Sequence, residues 1–349
     1  MNSQTSVSTA DLTIAASRIK GVAARTPLIR SDRLDALTGA SVFLKAECLQ
    51  VTGSFKFRGA YNRLSAMSDA ERAAGVVAFS SGNHAQGVAR AAKLLGIPAA
   101  IVMPSDAPDI KVRRTEADGA KIISYDRLSE SREDIAARLS AERGATLVPS
   151  FDDPYIIAGQ GTAGLEAREQ LKDAGRAADM AVICCGGGGL SSGIALALPQ
   201  ADIVLAEPEG YADAGESMAA GAIQPVHNPG PTLLDALQTL KISPLTFGIL
   251  SGRGARGVAV SDVDALRAMR FAMEDLKLVV EPGGAAALAA LLTGGVQATG
   301  KTVLVTLSGG NVDPQLFARC LNAQPFSRWP KLRRLAVRAA ILAAAALRR

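Results

Sequence analysis

Residues 180–198, Met-Ala-Val-Ile-Cys-Cys-Gly-Gly-Gly-Gly-Leu-Ser-Ser-Gly-Ile-Ala-Leu-Ala-Leu, decide the fold. Met180–Cys184 is apolar without alternation, as expected of a strand buried on both faces. Gly186, Gly187, Gly188 and Gly189 follow, and then a helical Ser191–Leu198. A strand that enters a helix through glycines is a unit of a parallel α/β sheet. Successive backbone N–H groups in such a turn can converge on an anion, and the helix N-terminus adds its dipole. Phosphate is the natural ligand, although the P-loop lysine is missing and the spacing is not that of the dinucleotide fingerprint. The competing reading is a flexible turn. Against it, four consecutive glycines cost folding entropy and imply close approach of the backbone.

The same alternation extends outward. Strands are expected at 41–45, 75–79, 99–103, 121–123, 146–148, 202–206 and 302–306, and helices at 85–95, 129–143, 161–174 and 263–276. This order predicts an α/β protein with two open parallel sheets. Residues 76–149 hold four strand–helix repeats and read as a small domain. Residues 1–75 and 150–325 form a larger, discontinuous one, and Pro149–Pro154 is the crossing between them. Gly96-Ile97-Pro98 stops one helix, and Pro104 can start another.

Aromatic residues are only 4% of the chain, so the core must be built from small and aliphatic side chains. The net charge of +5 is concentrated in residues 328–349, which hold seven Lys/Arg and no acid. The remainder carries 31 basic and 33 acidic residues, which gives no basis for a nucleic-acid surface. The basic, Ala-rich extension 326–349 reads either as an interfacial anchor or as a loosely attached terminus. Its apolar stretch Ala339–Leu347 is too short to span a bilayer, so no transmembrane segment is expected. Cys48, Cys184, Cys185 and Cys320 lack C-x-x-C spacing, and only His84 and His227 could join them in a zinc site. Buried free thiols and a polar N-terminus suit a cytoplasmic protein.

Thr52-Gly53-Ser54-Phe55-Lys56-Phe57-Arg58-Gly59-Ala60 places a lysine between two aromatic rings and beside a cation. Both kinds of neighbour lower an amine pKa and make it a nucleophile. A snorkelling surface lysine is the alternative. Ser80-Ser81-Gly82-Asn83-His84 sits between a strand and a helix, where its hydroxyls and amide can hold a carboxylate or serve as a plain N-cap. Leu307-Ser308-Gly309-Gly310-Asn311 is a third polar glycine turn after a strand. Three such turns at the carboxyl ends of parallel strands should line one crevice. Gly189-Leu190-Ser191-Ser192-Gly193 also matches G-x-S-x-G. A serine hydrolase would then need His227, the only later histidine.

Together the Lys56 segment, Ser80–His84, Gly186–Leu190, Val280-Glu281-Pro282 and Ser308-Gly309-Gly310-Asn311-Val312-Asp313 resemble the fold-type II pyridoxal-phosphate (PLP) enzymes. The match is to the serine/threonine dehydratase and serine racemase branch, and it covers about residues 10–320. The resemblance implies a tryptophan synthase β-like architecture and a homodimer. It implies that Lys56 forms the Schiff base with PLP and acts as the Cα base. Gly186, Gly187, Gly188, Gly189 and Leu190 would hold the phosphate, Phe55 would pack beside the ring, Asn83 would bond the ring hydroxyl and Ser308 the ring nitrogen. Ser81, Gly82 and His84 would receive the substrate carboxylate, and Ser81 could move a proton on the face opposite Lys56. In metal-dependent members of this branch a Glu, a backbone carbonyl and an Asp bind Mg²⁺ (or Mn²⁺ or Ca²⁺). Here they fall on Glu207, Tyr211 and Asp213; a solvated acidic loop is the alternative.

The expected activity is an ammonia-lyase that converts L-threonine, L-serine or a related β-hydroxy amino acid to a 2-oxo acid and ammonia. An amino-acid racemase and a 3-hydroxyaspartate dehydratase fit the same scaffold. The G-x-S-x-G hydrolase is a remote rival.

Overall fold

The structure, a computed structural model, describes residues 6–80, 82–107 and 109–326. Ser81 and nearly all of the basic tail lie outside that range. The ten strands among the described residues are, in chain order, β1 Leu28–Ile29, β2 Ser41–Lys45, β3 Val76–Phe79, β4 Ala99–Pro104, β5 Lys121–Tyr125, β6 Thr146–Leu147, β7 Met180–Cys184, β8 Asp202–Pro208, β9 Arg256–Val260 and β10 Thr302–Thr306. They form two sheets, of order β1-β2-β10-β7-β8-β9 and β5-β4-β3-β6. Every pairing is parallel except β1 with β2. This is the α/β parallel-sheet architecture that the apolar runs predict.

Two strands carry no clear signal in the sequence. β1 has two residues, and β9 is an edge strand with a glycine and an exposed start. Pro104 ends β4 opposite Tyr125, and the next helix waits until Asp109. The helix expected at 161–174 begins at Pro154, with Asp153 as N-cap. Its glycines read as breakers but serve close packing. A Cβ on Gly159 would stand 2.6 Å from the Arg58 carbonyl oxygen, and one on Gly193 2.5 Å from the Gly161 nitrogen. The Pro154–Asp173 helix therefore meets the Lys56–Ser65 helix on one side and the Gly189–Ala197 helix on the other at backbone distance.

The larger core surrounds the Pro282–Leu292 helix, all of whose residues are buried. Its Ala-rich sequence has no polar stripe, as suits a helix enclosed on all sides. Phe326 is buried in the same core, so the packed body extends one residue past the expected 325. All four cysteines are buried and free. No helix among the described residues is long and apolar enough to cross a membrane.

A buried charge cluster locks the Lys56–Ser65 helix. Arg58 is fully buried; its Nε donates to Glu47 Oε2 at 2.7 Å and its Nη1 to Glu166 Oε1 at 2.7 Å. Lys45, also fully buried, donates to Glu166 Oε2 at 2.7 Å. Removing Arg58 leaves the buried Glu47 carboxylate with the Thr26 hydroxyl and no bonded cation, and leaves Glu166 with Lys45 alone. Arg58→Met should therefore cost about 3–5 kcal/mol in urea unfolding. Adding Glu47→Gln to it should recover part of that loss, because one stranded carboxylate is gone.

Candidate active site

Lys56 is placed by a pairing between distant turns. Ser54 bridges Gly309, the Phe55 N–H donates to Ser308 O at 3.1 Å, and the Gly310 N–H donates to Gly53 O at 2.9 Å. Lys56, the first residue of its helix, is thus fixed at the carboxyl end of β10. Its half-buried side chain sets Nζ 3.0 Å from the Ser150 carbonyl oxygen and 5.2 Å from the centroid of the Phe55 ring. Burial of the amine lowers its pKa to about 8. Only Phe55 among the neighbours named from the sequence faces the amine. Phe57 packs in the core against Tyr61, and Arg58 turns away to its carboxylates.

The turn after β3 meets the turn after β10. Asn83 Nδ2 donates to Glu281 Oε1 at 2.6 Å, and Asn311 Nδ2 donates to Asn83 Oδ1 at 2.8 Å and to Thr52 O at 2.7 Å. One N–H of Asn83 is left for a ligand. Burial raises Glu281 to about 8; the Asp235 charge adds to this and the Asn83 hydrogen bond opposes it. Gly309 is required here, because a Cβ would stand 2.0 Å from Glu281 Oε1. Glu281 and Asn311 belong to motifs visible in the sequence, but their service to Asn83 is not. Ser308 is buried, and its side chain lies beside the Cys184 thiol.

His84 departs from its expected part. Its Nε2 faces the Val148 carbonyl oxygen at 2.9 Å and must donate, which leaves Nδ1 a buried lone pair with no partner. Burial, aided by the Lys56 charge, lowers its pKa to about 3. A neutral ring in this tautomer has no proton for a carboxylate, so only the backbone N–H of His84 can contribute, at the N-terminus of the Asn83–Leu95 helix. Gly82 caps that helix, and its N–H donates to Ser80 Oγ at 3.1 Å.

At the glycine turn a Cβ on Gly187 would stand 2.2 Å from Phe151 Cδ1, and one on Gly189 2.5 Å from Gln160 Oε1. Gly188 has a φ of +86°. Side chains are thus excluded along the turn, and Leu190 is buried just behind it. The first bond of the helix runs from the Ser192 N–H to Gly188 O, which leaves the amides of Gly189, Leu190 and Ser191 to an outside acceptor. The buried hydroxyls of Ser191 and Ser192 make no hydrogen bond of good geometry among the described residues, although the Cys185 thiol lies near Ser191. A bare cradle of free amides, a neutralisable amine beside an aromatic ring, and a carboxamide with a spare N–H together fit pyridoxal phosphate. The hydrolase geometry is absent among the described residues: Ser191 is buried, His227 is exposed, and no hydrogen bond joins Ser191 to a histidine.

In the acidic loop Glu207 accepts from the amides of Ala214 at 2.9 Å and Gly215 at 2.8 Å. Both Asp213 oxygens are buried without a hydrogen bond of good geometry, although the amides of Asp213 and Ile242 lie near. Burial raises Glu207 to about 8 and Asp213 to about 7. The Tyr211 hydroxyl donates to Gly230 O at 2.8 Å. No group of three or more His, Cys, Asp or Glu side chains gathers to hold a metal among the described residues. Any cation here would draw on two carboxylates, a carbonyl and water.

His84 yields a pH prediction. Its folded pKa lies below the unfolded value, so the unfolded chain binds the extra proton and stability falls as pH drops from about 6.5 towards 3. Gln at this position can keep the bond to Val148 O without titrating. His84→Gln should therefore lose less stability than wild type between pH 7 and pH 5, by up to about 1.4 kcal/mol per pH unit below the unfolded pKa. Urea midpoints at several pH values measure this; parallel slopes would contradict it.

Comparison with known proteins agrees with the geometry. Residues 19–309 match the family described as pyridoxal-phosphate dependent enzyme. An L-threo-3-hydroxyaspartate ammonia-lyase of a Pseudomonas species is 47% identical over 315 residues, 89% of this chain and 97% of the relative. An L-threonine ammonia-lyase of Thermotoga maritima is 40% identical over 316 residues, 89% of this chain and 77% of the relative. The solved structure of maize serine racemase superimposes with a TM-score of 0.85 at 37% identity, covering 91% of this chain and 97% of that one. The chain belongs to the pyridoxal-phosphate dependent enzyme family, with the fold-type II architecture.

Proposed function

We propose that the protein is an ammonia-lyase that dehydrates a small β-hydroxy amino acid to a 2-oxo acid and ammonia. When bound, pyridoxal phosphate supplies the electron sink that acidifies Cα of an attached amino acid. Lys56 holds the cofactor and moves the Cα proton. The observation that carries this is a buried amine with a pKa near 8, 3.0 Å from a carbonyl and facing an aromatic ring. Such an amine is free base often enough near neutral pH to act as a general base.

The other residues bind and orient. The amides of Gly186–Leu190 receive the phosphate, and the Phe55 ring flanks the cofactor. The spare N–H of Asn83 meets the ring hydroxyl, and the Ser308 hydroxyl meets the ring nitrogen. The Gly82 and His84 amides, with Ser81, bind the substrate carboxylate. A cation at Glu207, Asp213 and the Tyr211 carbonyl would neutralise two buried acids and play an activating part. We place the enzyme in the cytoplasm as a homodimer.

L-threo-3-hydroxyaspartate ranks first among substrates because of the 47% identity to a lyase of that name. Its second carboxylate calls for a cation. Arg132 stands with Cζ 5.4 Å from the centroid of Phe79, the residue before the Ser80–His84 turn. Arg132→Met should raise KM for hydroxyaspartate about tenfold, with little change for threonine; a single weakened ion pair of this kind is worth about 1.4 kcal/mol.

A panel of L-threonine, L-serine, D-serine and the 3-hydroxyaspartates, scored for oxo acid with and without EDTA, tests the reading. Chiral analysis of the recovered serine tests racemisation. D-serine accumulating with little pyruvate would overturn the lyase assignment in favour of a racemase. Lys56→Ala should lower turnover by roughly 10²–10⁴-fold, and borohydride should fix the cofactor on Lys56. Ser191→Ala should keep that label. Gly187→Ala should abolish cofactor binding, because its methyl group would stand 2.2 Å from Phe151.

A further inference from the structure

Gln160 lies in no motif assigned above, yet it stands between the two halves of the cofactor site. It is 1% exposed, on the helix that meets both the lysine helix and the phosphate helix. Its Nε2 donates to Ser150 O at 3.3 Å, the same carbonyl that accepts from Lys56 Nζ at 3.0 Å. Its Oε1 is buried with no partner and points to Gly189, where a Cβ would stand 2.5 Å from it. On the other side, a Cβ on Gly59 would stand 3.0 Å from Gln160 Cγ and 3.2 Å from Nε2. Two glycines on separate helices thus leave a slot for one carboxamide. That slot runs from the acceptor of the lysine to the first residue of the phosphate helix.

The slot has a chemical purpose. To condense with the aldehyde of the cofactor, with loss of the aldehyde oxygen as water, the Lys56 amine would have to give up a proton and leave the Ser150 carbonyl. A part-buried carbonyl abandoned by its donor is costly, and Gln160 supplies the donor that stays. The same N–H competes with the lysine for the carbonyl, which weakens the grip of that carbonyl on the charged amine. We propose that Gln160 is a positioning residue, which holds the Ser150 carbonyl against the departure of Lys56 while its Oε1 packs against Gly189 of the phosphate loop. The other charged groups around Lys56 are already committed. His84, on the Asn83–Leu95 helix, is neutral, and Arg58 is bound to Glu47 and Glu166. Asp153, beside Ser150, is bound to Arg63, and Glu281, beyond Asn83, is bonded to that carboxamide.

The inference rests on Lys56 as the attachment point, so the experiment reads both. Full-length protein freed of cofactor is mixed with pyridoxal phosphate at pH 6–10. The absorbance of lysine-bound cofactor gives the loading rate, and borohydride fixation with peptide mapping gives the site. For Gln160→Met the pH midpoint of loading should rise by about half a unit, with about a threefold slower rate at pH 7. Gln160→Glu should move it further in the same direction, because a carboxylate beside the amine favours its charged form. A purely structural role would lower the melting temperature and leave the midpoint in place. A wild-type midpoint in whichever variant folds, with the label on Lys56, overturns the proposal. A label on another lysine overturns the Lys56 assignment instead.

Discussion

Arg58 constrains everything around it, because a guanidinium with no access to water tolerates few arrangements. It sits two residues after Lys56 on one helix, about 200° further round. If the lysine faces the crevice, the arginine must face the protein interior. There its Nη2 adds bonds to Glu47 Oε1 at 2.9 Å, Glu166 Oε2 at 2.8 Å and Ala24 O at 3.1 Å. Burial penalises the charge and the two carboxylates more than offset it, so the guanidinium stays ionised. An apolar cluster of equal volume could be as stable. The ionic network differs in specificity. Its partners come from the turn after β2 and from the Pro154–Asp173 helix, so it is satisfied by one rotation of the lysine helix.

Low polarity acts in opposite ways on paired and unpaired groups. Glu47, buried but bonded to Arg58, is held below the usual carboxylate range. Glu281, buried with only an amide for company, is raised to about 8. Lys56 and His84 are lowered by the same desolvation. At pH 7 Glu281 and His84 are then mostly neutral and the Lys56 amine mostly charged, and the other free polar groups are mostly N–H donors at helix starts and turns. On the proposed assignment such a pocket suits anions, a phosphate at one end and a carboxylate at the other.

Much of this was legible in the sequence where the signal is local. β2, β7 and β10 are apolar runs read to the residue, and the three glycine turns announce themselves by composition. Signals of helical phase and long-range pairing were not legible. Phe57 and Arg58 flank Lys56 in the chain, but a helix sends them elsewhere. Gly159, Gly161 and Gly164 blur the first half of the Pro154–Asp173 helix because close packing and helix breaking use the same residue. Asn83 and Glu281 are 198 positions apart, and Asn83 and Asn311 are 228 apart. Gln160 has no local oddity; its meaning comes from Gly59 and Gly189 on other helices. His84 lies in a motif suited to carboxylate binding, and only its bond to Val148 shows that the ring is turned away.

On the proposed assignment, Ser308 decides how long negative charge persists at Cα. Its side-chain neighbours include the Cys184 thiol, itself bonded to backbone carbonyls and to the Thr306 hydroxyl. Burial pushes that thiol up, so it stays neutral. A hydroxyl in neutral company does not protonate a ring nitrogen, and the cofactor is then a weak sink. A weak sink shortens the life of charge at Cα. Loss of a β-hydroxyl consumes that charge at once. Racemisation needs it to survive until a proton arrives on the other face. Glu281 and His84 are buried and engaged with Asn83 and Val148, so neither is free to deliver that proton, and Ser81 is the residue proposed for it. On that assignment the electronics at Ser308 favour elimination for any substrate that carries a β-leaving group.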